Sequence, residues 1–352
     1  MRTRSLVMPA GVCAAVFSVL AAGQAPRRQR LNPVIDLLEQ NKPVFGVYAP
    51  SSSPPGGRRS TGSGQASATG SSQTPGRADF GAPGVVPPAL KPPLDLAREA
   101  LAYKDADFLF NGSMEGGVDR GLPAFIDFMK ATSDVGALTR APFLRLHHPM
   151  IVKTPKISRD PAKAIDNIGR ELNAGAAGIV FVEAESAEEV RQGLAAMRFR
   201  SRGGTRPDAT GMAPSYWGMT DEQYKEKADL WPLNPDGELI NWTIVESREG
   251  LAHVREIAAV KGIGVLWPGA GTLRGIFSTT TAAGERVLDT AAWESAIQQV
   301  LAACKEFRVP CGFPANTSDI ELRMNQGFSV FVMNWGEAGF SAVSKGRAVG
   351  GR

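Results

Sequence analysis

The sequence predicts an α/β protein of one domain, a (β/α)8 TIM barrel. Short apolar segments alternate with segments of helical periodicity along most of the chain, and eight of the apolar segments can be counted. Short strands that are apolar throughout are typical of parallel strands buried on both faces. With an N-terminal apolar segment and one low-complexity segment set aside, about 280 residues remain, the size of one barrel. An open doubly wound sheet is the alternative, but no G-x-G-x-x-G follows the first strand.

The net charge of the chain gives no indication of a nucleic-acid partner. The 352 residues include 39 Lys and Arg against 35 Asp and Glu, a formal net charge of +4, which is weak for this length. No internal stretch approaches the ~20 apolar residues of a membrane-spanning helix, which excludes a multi-span membrane protein.

The first 25 residues have the pattern of a secretory signal peptide. Arg2 and Arg4 precede an apolar run over residues 6–22, and small residues follow it. An uncleaved anchor is the alternative, and Pro9 and the shortness of the run argue against it. The sequence therefore predicts a periplasmic or secreted protein with no membrane contact after cleavage.

Residues 49–93 are rich in serine, glycine and proline and hold few side chains able to bury area. Such a segment cannot offset its own ordering entropy, so we predict a disordered insertion after strand one. Residues 26–48 then supply the first helix and strand of the barrel, residues 94–340 the remainder, and residues 341–352 a tail.

The elements of the barrel follow in order. A helix from residue 31 ends at the turn Lys42-Pro43, and V-F-G-V-Y forms strand one. The later strands are predicted at residues 107–110, 143–146, 178–183, 240–246, 264–267, 310–313 and 328–333. Helices are predicted at residues 94–102, 121–133, 160–173, 186–197, 249–259, 290–307 and 318–326. Asp160 caps one of these helices, and Ser186 with Glu189 forms a capping box at another.

Cys304 and Cys311 are the two cysteines beyond the first segment. In an oxidising compartment they can form a disulfide, and two buried thiols are the alternative. Their spacing is not that of a metal site.

Active sites of such barrels lie at the C-terminal ends of the strands, so the residues that follow each strand are the candidates. They are Asn111, Glu115 and Asp119 after strand two, Arg145, His147 and His148 at strand three, Glu183 and Glu185 after strand four, Glu246, Ser247 and Arg248 after strand five, Gly269, Ala270, Gly271 and Thr272 after strand six, Asn316 after strand seven, and Asn334 and Trp335 after strand eight.

These residue types suit the chemistry of a metal-bound acid. Glu246 and Glu183 can hold a hard divalent ion, which can polarise a carbonyl and stabilise an enolate. Arg145 suits a substrate carboxylate. A structural salt bridge is the alternative for either glutamate. His147 and His148 are adjacent, so at most one of them faces the site. The glycine-rich turn over residues 268–273 forms an anion nest or a plain barrel turn.

Several motifs together resemble the HpcH/HpaI aldolase/citrate lyase family, in order and in spacing, over about residues 31–48 and 94–336. They are N-P-V-I-D-L-L-E-Q-N-K-P-V-F-G-V-Y, D-F-L-F-N-G-S-M-E-G-G, F-L-R-L, D-P-A-K-A-I-D-N-I-G-R-E-L-N-A-G-A-A-G-I-V-F-V-E-A-E-S-A-E-E-V, I-V-E-S-R-E-G-L and V-P-C-G-F-P-A-N-T-S-D. The resemblance implies a barrel that binds Mg or Mn and cleaves 2-oxo-3-deoxy-4-hydroxy acids into pyruvate and an aldehyde. It also implies a homo-oligomer.

Carried over by motif, Glu246 matches the family's metal glutamate in Q-I-E-T, and Arg145 matches its arginine after strand three. Two departures stand out. The family's strand-two histidine, the base, falls on Glu115 or Gly116. The second metal acid, the aspartate of G-P-A-D-L, falls on Thr272 or Gly271.

Three hypotheses follow from these departures. The first is a diverged metal-dependent aldehyde-lyase in which Glu115 and Glu183 replace the missing base and ligand, with Gly269, Ala270, Gly271 and Thr272 holding the substrate acid. A glutamate can act as a base when burial raises its pKa. The second is a non-catalytic barrel that binds an oxo- or sugar acid, and the third is another reaction through His147 or His148.

The aromatic segment over residues 203–241 precedes strand five. We expect either a lid or subunit contact over the catalytic rim, or a surface excursion packed by Trp217, Tyr224 and Trp231.

Overall fold

The protein is described here by a computed structural model over residues 28–51 and 90–352. The predicted signal peptide and nearly all of the predicted insertion lie outside the described residues. Within the described ranges, no helix combines the length and the apolar character needed to cross a bilayer.

Eight parallel strands form the barrel, as predicted. Their bounds are β1 Val44–Tyr48, β2 Phe108–Asn111, β3 Met150–Thr154, β4 Gly178–Phe181, β5 Leu239–Val245, β6 Val265–Pro268, β7 Gly312–Pro314 and β8 Val330–Met333. Each pairs in parallel with its neighbour in chain order from β1 to β6, β7 pairs with β8, and β8 pairs with β1. A parallel bridge between Leu266 and Cys311 joins β6 to β7 and closes the ring.

The first helix closes the N-terminal end of the barrel, and the other helices lie around it. The helices are α1 Pro33–Glu39, α2 Pro93–Ala102, α3 Val118–Asp134, α4 Pro161–Asn173, α5 Ala187–Met197, α6 Ala213–Trp217, α7 Asp221–Lys227, α8 Arg248–Ala252, α9 Val254–Ala258, α10 Ala270–Ile276, α11 Thr290–Phe307, α12 Ile320–Gln326 and α13 Glu337–Val349. The predicted caps are present: Asp160 accepts from Lys163 N at α4, and Ser186 accepts from Glu189 N at α5. Helix α13 runs across residue 341, so the predicted tail is part of a helix.

Several short secondary elements accompany the barrel strands and helices. Two antiparallel pairs join Leu138–Thr139 to Arg145–Leu146 and Ser278–Thr280 to Arg286–Leu288. A two-residue strand, Leu230–Trp231, adds to the start of β5. Turns of 3-10 helix lie at Ile157–Arg159 and Arg200–Arg202.

The barrel interior is closed at its N-terminal end by α1. Val34 and Ile35 are fully buried against the inward-facing side chains of the strands. Higher up, Phe108 packs edge-on against Trp242, and Trp242 stacks on Trp267 with ring centroids 5.6 Å apart. Large aromatic rings fill a narrow barrel only where the facing position is small, and a Cβ at Gly46 would lie 2.2 Å from the Phe108 ring. Among the described residues, the interior is therefore a packed core, and it opens at the C-terminal mouth.

The prediction of strand three is wrong. Within residues 143–146, Arg145–Leu146 forms the second strand of a hairpin. The barrel strand is β3, Met150–Thr154, which follows the hairpin in the chain. Both segments are short and apolar, and the pattern alone does not separate them. The hairpin lies before β3, so Arg145 and His147 lie at the N-terminal end of the barrel, away from the mouth.

The aromatic excursion over residues 203–241 is packed and does not form a lid. Trp217 and Tyr224 are fully buried, and Trp217 Nε1 donates to the Gly175 carbonyl at 3.3 Å. Gly175 precedes β4, so the excursion packs beside the N-terminal end of the barrel. Cys304 and Cys311 form a disulfide, which decides between the two alternatives for these residues.

Candidate functional site

The mouth of the barrel holds a buried lysine that the sequence did not single out. Lys153 is the fourth residue of β3 and its side chain is only 3% exposed. Its Nζ donates to Glu115 Oε2 at 3.1 Å, and Glu115 lies in the turn between β2 and α3. A side chain at Gly112 in that turn would meet the lysine stem, since its Cβ would lie 3.7 Å from Lys153 Cδ. The cation at the end of strand three is therefore Lys153 and not Arg145.

Glu246 follows β5 directly, as predicted, and its carboxylate is 2% exposed. Both of its oxygens accept hydrogen bonds. Oε1 accepts from the backbone N–H of Glu183 at 3.1 Å, and Oε2 accepts from the Thr272 hydroxyl at 2.6 Å. Three strands of the barrel, β4, β5 and β6, thus converge on this one carboxylate.

The backbone at two positions is adapted to this carboxylate. A Cβ at Gly269 would lie 2.3 Å from Glu246 Cβ and 2.5 Å from its Oε2, so a side chain there would displace the glutamate. Glu183 has φ 48°, in the left-handed region that non-glycine residues rarely adopt. This conformation accompanies an N–H that points at Glu246, and such strain is typical of functional positions.

The charges at the mouth act on one another. Burial opposes the charge of Lys153, but attraction to Glu115, Tyr48 and Glu246 outweighs it and raises the lysine pKa, so the ammonium stays charged at neutral pH. Burial raises the pKa of Glu246, and Lys153 and the two hydrogen bonds to the carboxylate oppose that shift. Burial also raises the pKa of Tyr48, which keeps its hydroxyl protonated.

Two adjacent spaces lead to these residues. Inside the mouth, a cavity of about 20 Å³ is lined by Tyr48, Lys153 and Trp267, enough for one water molecule. A groove of about 780 Å³ lies over the ends of β6, β7 and β8 and shares Ala270 and Pro314 with the cavity. Its polar lining includes Arg274, Arg286, Asn316, Asp319 and Asn334.

The structure separates the predicted site residues into two groups. Glu115, Glu246, Gly269, Ala270, Gly271 and Thr272 lie at the mouth, the last three at the start of α10. Arg145 and His147 lie at the other end of the barrel, which corrects their predicted place after strand three. There Arg145 Nη1 is 3.2 Å from Asp36 Oδ2, and His147 Nε2 is 2.8 Å from the Thr139 hydroxyl.

Glu183 contributes its backbone to the mouth but not its carboxylate. The side chain is 40% exposed and lies 3.5 Å from the Lys156 ammonium. It also lies 4.0 Å from Arg159. The predicted pairing of Glu183 and Glu246 as two carboxylate ligands of one ion is therefore not present.

The donor set at the mouth does not fit a divalent ion. Both oxygens of Glu246 already accept hydrogen bonds, Thr272 supplies a hydroxyl where the resemblance expects an acid, and the second carboxylate, Glu115, is held by an ammonium. Mg²⁺ and Mn²⁺ favour carboxylate and water oxygens free to coordinate. Among residues 28–51 and 90–352, no three His, Cys, Asp or Glu side chains are grouped so as to hold a metal.

Comparisons with known proteins identify the fold. No protein-family model and no curated protein matches the chain. Among solved structures, an HpcH/HpaI aldolase/citrate lyase family protein from Burkholderia cenocepacia J2315 has a TM-score of 0.57 at 18% identity, over 90% of this chain and 98% of that one. An HpcH/HpaI aldolase from Desulfitobacterium hafniense DCB-2 has a TM-score of 0.56 at 13% identity, over 90% and 95%.

The citrate synthase SbnG is also similar, with a TM-score of 0.51 at 14% identity, over 85% of this chain and 89% of that one. These likenesses confirm the barrel fold. Two of the three proteins carry the name of the family that the sequence motifs resemble.

Proposed function

We propose that this protein is a diverged member of the HpcH/HpaI aldolase/citrate lyase family and a carbon–carbon lyase of the aldolase type. Its substrate is a 2-oxo-3-deoxy sugar acid or a similar oxo-acid. The observation that carries the proposal is the buried Lys153 ammonium beside Glu115 at the C-terminal mouth of the barrel. A buried cation next to a carboxylate is the pairing that enolate chemistry needs, because one group stabilises negative charge while the other accepts a proton.

In the proposed reaction, Glu115 accepts the proton of the C4 hydroxyl. The C3–C4 bond breaks, the aldehyde leaves with C4, and the bonding pair moves onto C3 and the C2 oxygen. The Lys153 ammonium faces the enolate that forms, and return of the proton to C3 gives pyruvate. Tyr48, protonated and within the same cavity, is placed to donate a hydrogen bond to the bound acid.

The carbon skeleton of the substrate would occupy the groove beside the cavity, with a single oxygen atom entering the cavity. Arg274 and Arg286 line the groove, and guanidinium groups suit carboxylate or phosphate groups. This favours a substrate with a second anionic or polyhydroxylated end over a short neutral one.

The test is a panel of 2-oxo-3-deoxy acids with pyruvate release as the signal, with and without Mg²⁺ or Mn²⁺. We expect release from at least one acid and its loss in Glu115→Gln. Glu185→Gln is the matched control, because Glu185 also follows a barrel strand and pairs with a lysine, Lys156. Absence of pyruvate from the whole panel would remove the proposal.

A second function, binding of an oxo- or sugar acid without turnover, is favoured by one observation. Glu246 accepts hydrogen bonds from the Thr272 hydroxyl and from the Glu183 N–H, and a carboxylate fixed in this way suits a static site. This function predicts thermal stabilisation by an acid that the protein does not cleave. Detection of a cleaved product separates the two functions.

We also propose that the protein is exported and assembles as a homo-oligomer. The sequence pattern of the first 25 residues supports export, and the Cys304–Cys311 disulfide is consistent with an oxidising compartment. The mass of the protein recovered from its host tests removal of the first segment, and light scattering on the purified protein gives the assembly.

A further inference from the structure

Glu246 is held in place by hydrogen bonds from within the protein. Its two oxygens accept from the Glu183 N–H and from the Thr272 hydroxyl, at 3.1 and 2.6 Å. The backbone at Gly269 lies directly against the same carboxylate, since a Cβ there would approach Oε2 to 2.5 Å. Thr272, at the position where the resemblance expects the second metal acid, instead donates its hydroxyl to Glu246, so a metal here would lack that carboxylate.

The protein places a buried positive charge of its own at the same mouth. Lys153 is 3% exposed, and its stem is buried at the end of β3 while its Nζ contacts Glu115 at 3.1 Å. Attraction between Lys153 and Glu246 is also present. The ammonium compensates the charge of one carboxylate at the mouth, which leaves less negative charge for a dication than two uncompensated acids would.

The ammonium also faces the place where an acid would bind. Lys153 lines the small cavity together with Tyr48, and this cavity is adjacent to the groove that takes the rest of the substrate. A lysine ammonium has three donors and no acceptor. It can therefore bond to more than one acceptor, and a single oxygen of a ligand seated in the groove can enter the cavity as one of them.

We propose that Lys153 is a built-in cation that takes the place of the divalent metal in this fold, so that the mouth binds the 2-oxo acid anion without metal. The inference rests on the proposed function for the choice of ligand. It changes the chemistry of that function, because the enolate oxygen is stabilised by a hydrogen-bonding ammonium and not by a Lewis acid.

The first test measures metal binding and needs no turnover. Mn²⁺ is titrated into the full chain, freed of metal by a chelator, and bound ion is followed by electron paramagnetic resonance. We expect no binding at the mouth by the wild type up to about 1 mM Mn²⁺, and a gain of at least about tenfold in affinity in Lys153→Met/Thr272→Asp. Tight binding of one Mn²⁺ by the wild type, lost in Glu246→Gln, would overturn the proposal.

The second test measures anion binding with chelator present. Oxalate, a planar dianion shaped like a pyruvate enolate, is titrated by calorimetry. We expect the wild type to bind oxalate. The affinity should fall about tenfold or more in Lys153→Met, because that variant lacks the buried positive charge, and it should be largely restored in Lys153→Arg, which has one. Lys156→Met is the matched control and should bind as the wild type does.

Oxalate binding that requires added Mn²⁺, or that survives unchanged in Lys153→Met, would refute the role of the ammonium. Circular dichroism confirms that each variant is folded, and Lys153→Arg keeps the test decisive where Lys153→Met does not fold. Neither titration measures pyruvate release. Failure of the proposed function would appear as no pyruvate from the substrate panel, whereas failure of the role of Lys153 would appear in the Mn²⁺ or oxalate titration.

Discussion

Both ends of the barrel bury charged side chains, but the two ends satisfy them differently. At the N-terminal end, the Arg30 guanidinium is 1% exposed and pairs with Glu39 and Glu238, and it also donates to the carbonyls of Pro235 and Gly237. At the C-terminal mouth, Lys153 has Glu115 at 3.1 Å and lines a small cavity that adjoins the groove.

This difference indicates which buried charges stabilise the fold and which serve a ligand. The Arg30 network joins the segment before α1 to the residue before β5, and Glu238 further accepts from the backbone N–H of Asn32 at 2.9 Å. Its donors and acceptors are matched within the protein. The mouth instead places the buried Lys153–Glu115 pair beside a cavity, and a buried pair of charges costs stability unless a ligand uses it.

The largest stability effect should come from the closed end. Arg30→Met leaves Glu238 buried without its cation, and breaking a buried pair in this way costs about 3 kcal/mol or more of unfolding free energy. Arg28→Met is the control, because Arg28 is exposed and pairs with the exposed Asp236, a pairing worth at most about 1 kcal/mol. Urea unfolding measures both, and equal effects would contradict a special role for the closed end.

A pH-dependent effect of intermediate size is expected from His148, also at the closed end. Burial, with smaller contributions from His147 and Lys104, lowers its pKa to about 4. On acidification, this histidine takes up a proton at a higher pH in the unfolded chain than in the folded protein. The free energy of unfolding therefore falls by about 2 kcal/mol between pH 7 and pH 4.5 because of this one group. His148→Phe should flatten that part of the stability–pH curve.

The neighbouring histidine gives the control for this prediction. His147 is less buried, and its ring bonds to the Thr139 hydroxyl. His147→Gln should therefore leave most of the acid-induced loss in place. A His148→Phe variant with the same acid sensitivity as the wild type would show that another group causes it.

The smallest stability effect is expected at the mouth. Lys153→Met/Glu115→Gln removes both members of the pair, and replacing a buried pair completely is close to neutral, within about 1 kcal/mol, or stabilising. Ligand binding should nevertheless be lost. Thermal unfolding with and without oxalate measures both quantities, and a large loss of stability would place this pair among the structural charges.

The fold was largely predictable because its periodic elements are strong signals. The apolar strands and the caps at Asp160 and Ser186 were placed from the sequence, as was Glu246 at the end of its strand. Strand three was misplaced because F-L-R-L and M-I-V-K-T are equally apolar and only tertiary pairing distinguishes them. The available signal was Pro149, which separates the two segments and leaves I-V-K-T directly before the next turn.

That one misplacement hid the lysine of the site. Lys153 lies in an apolar strand and is flanked by β-branched residues, so local pattern marks it as an interruption and not as a catalytic group. The contact between Thr272 and Glu246 joins residues 26 positions apart, which spacing alone does not show. Long-range contacts of this kind depend on how the barrel closes, so they can be identified only once the tertiary structure is known.

The most direct test of the account is pyruvate release by the chelator-treated protein, compared between the wild type and Lys153→Met. We predict that the wild type releases pyruvate from a 2-oxo-3-deoxy acid without added metal, and that Lys153→Met lowers the rate by about 100-fold or more, as expected for loss of a preorganised charge. Lys156→Met should retain the wild-type rate. Release that appears only with Mg²⁺ or Mn²⁺, or that persists in Lys153→Met, would contradict the account.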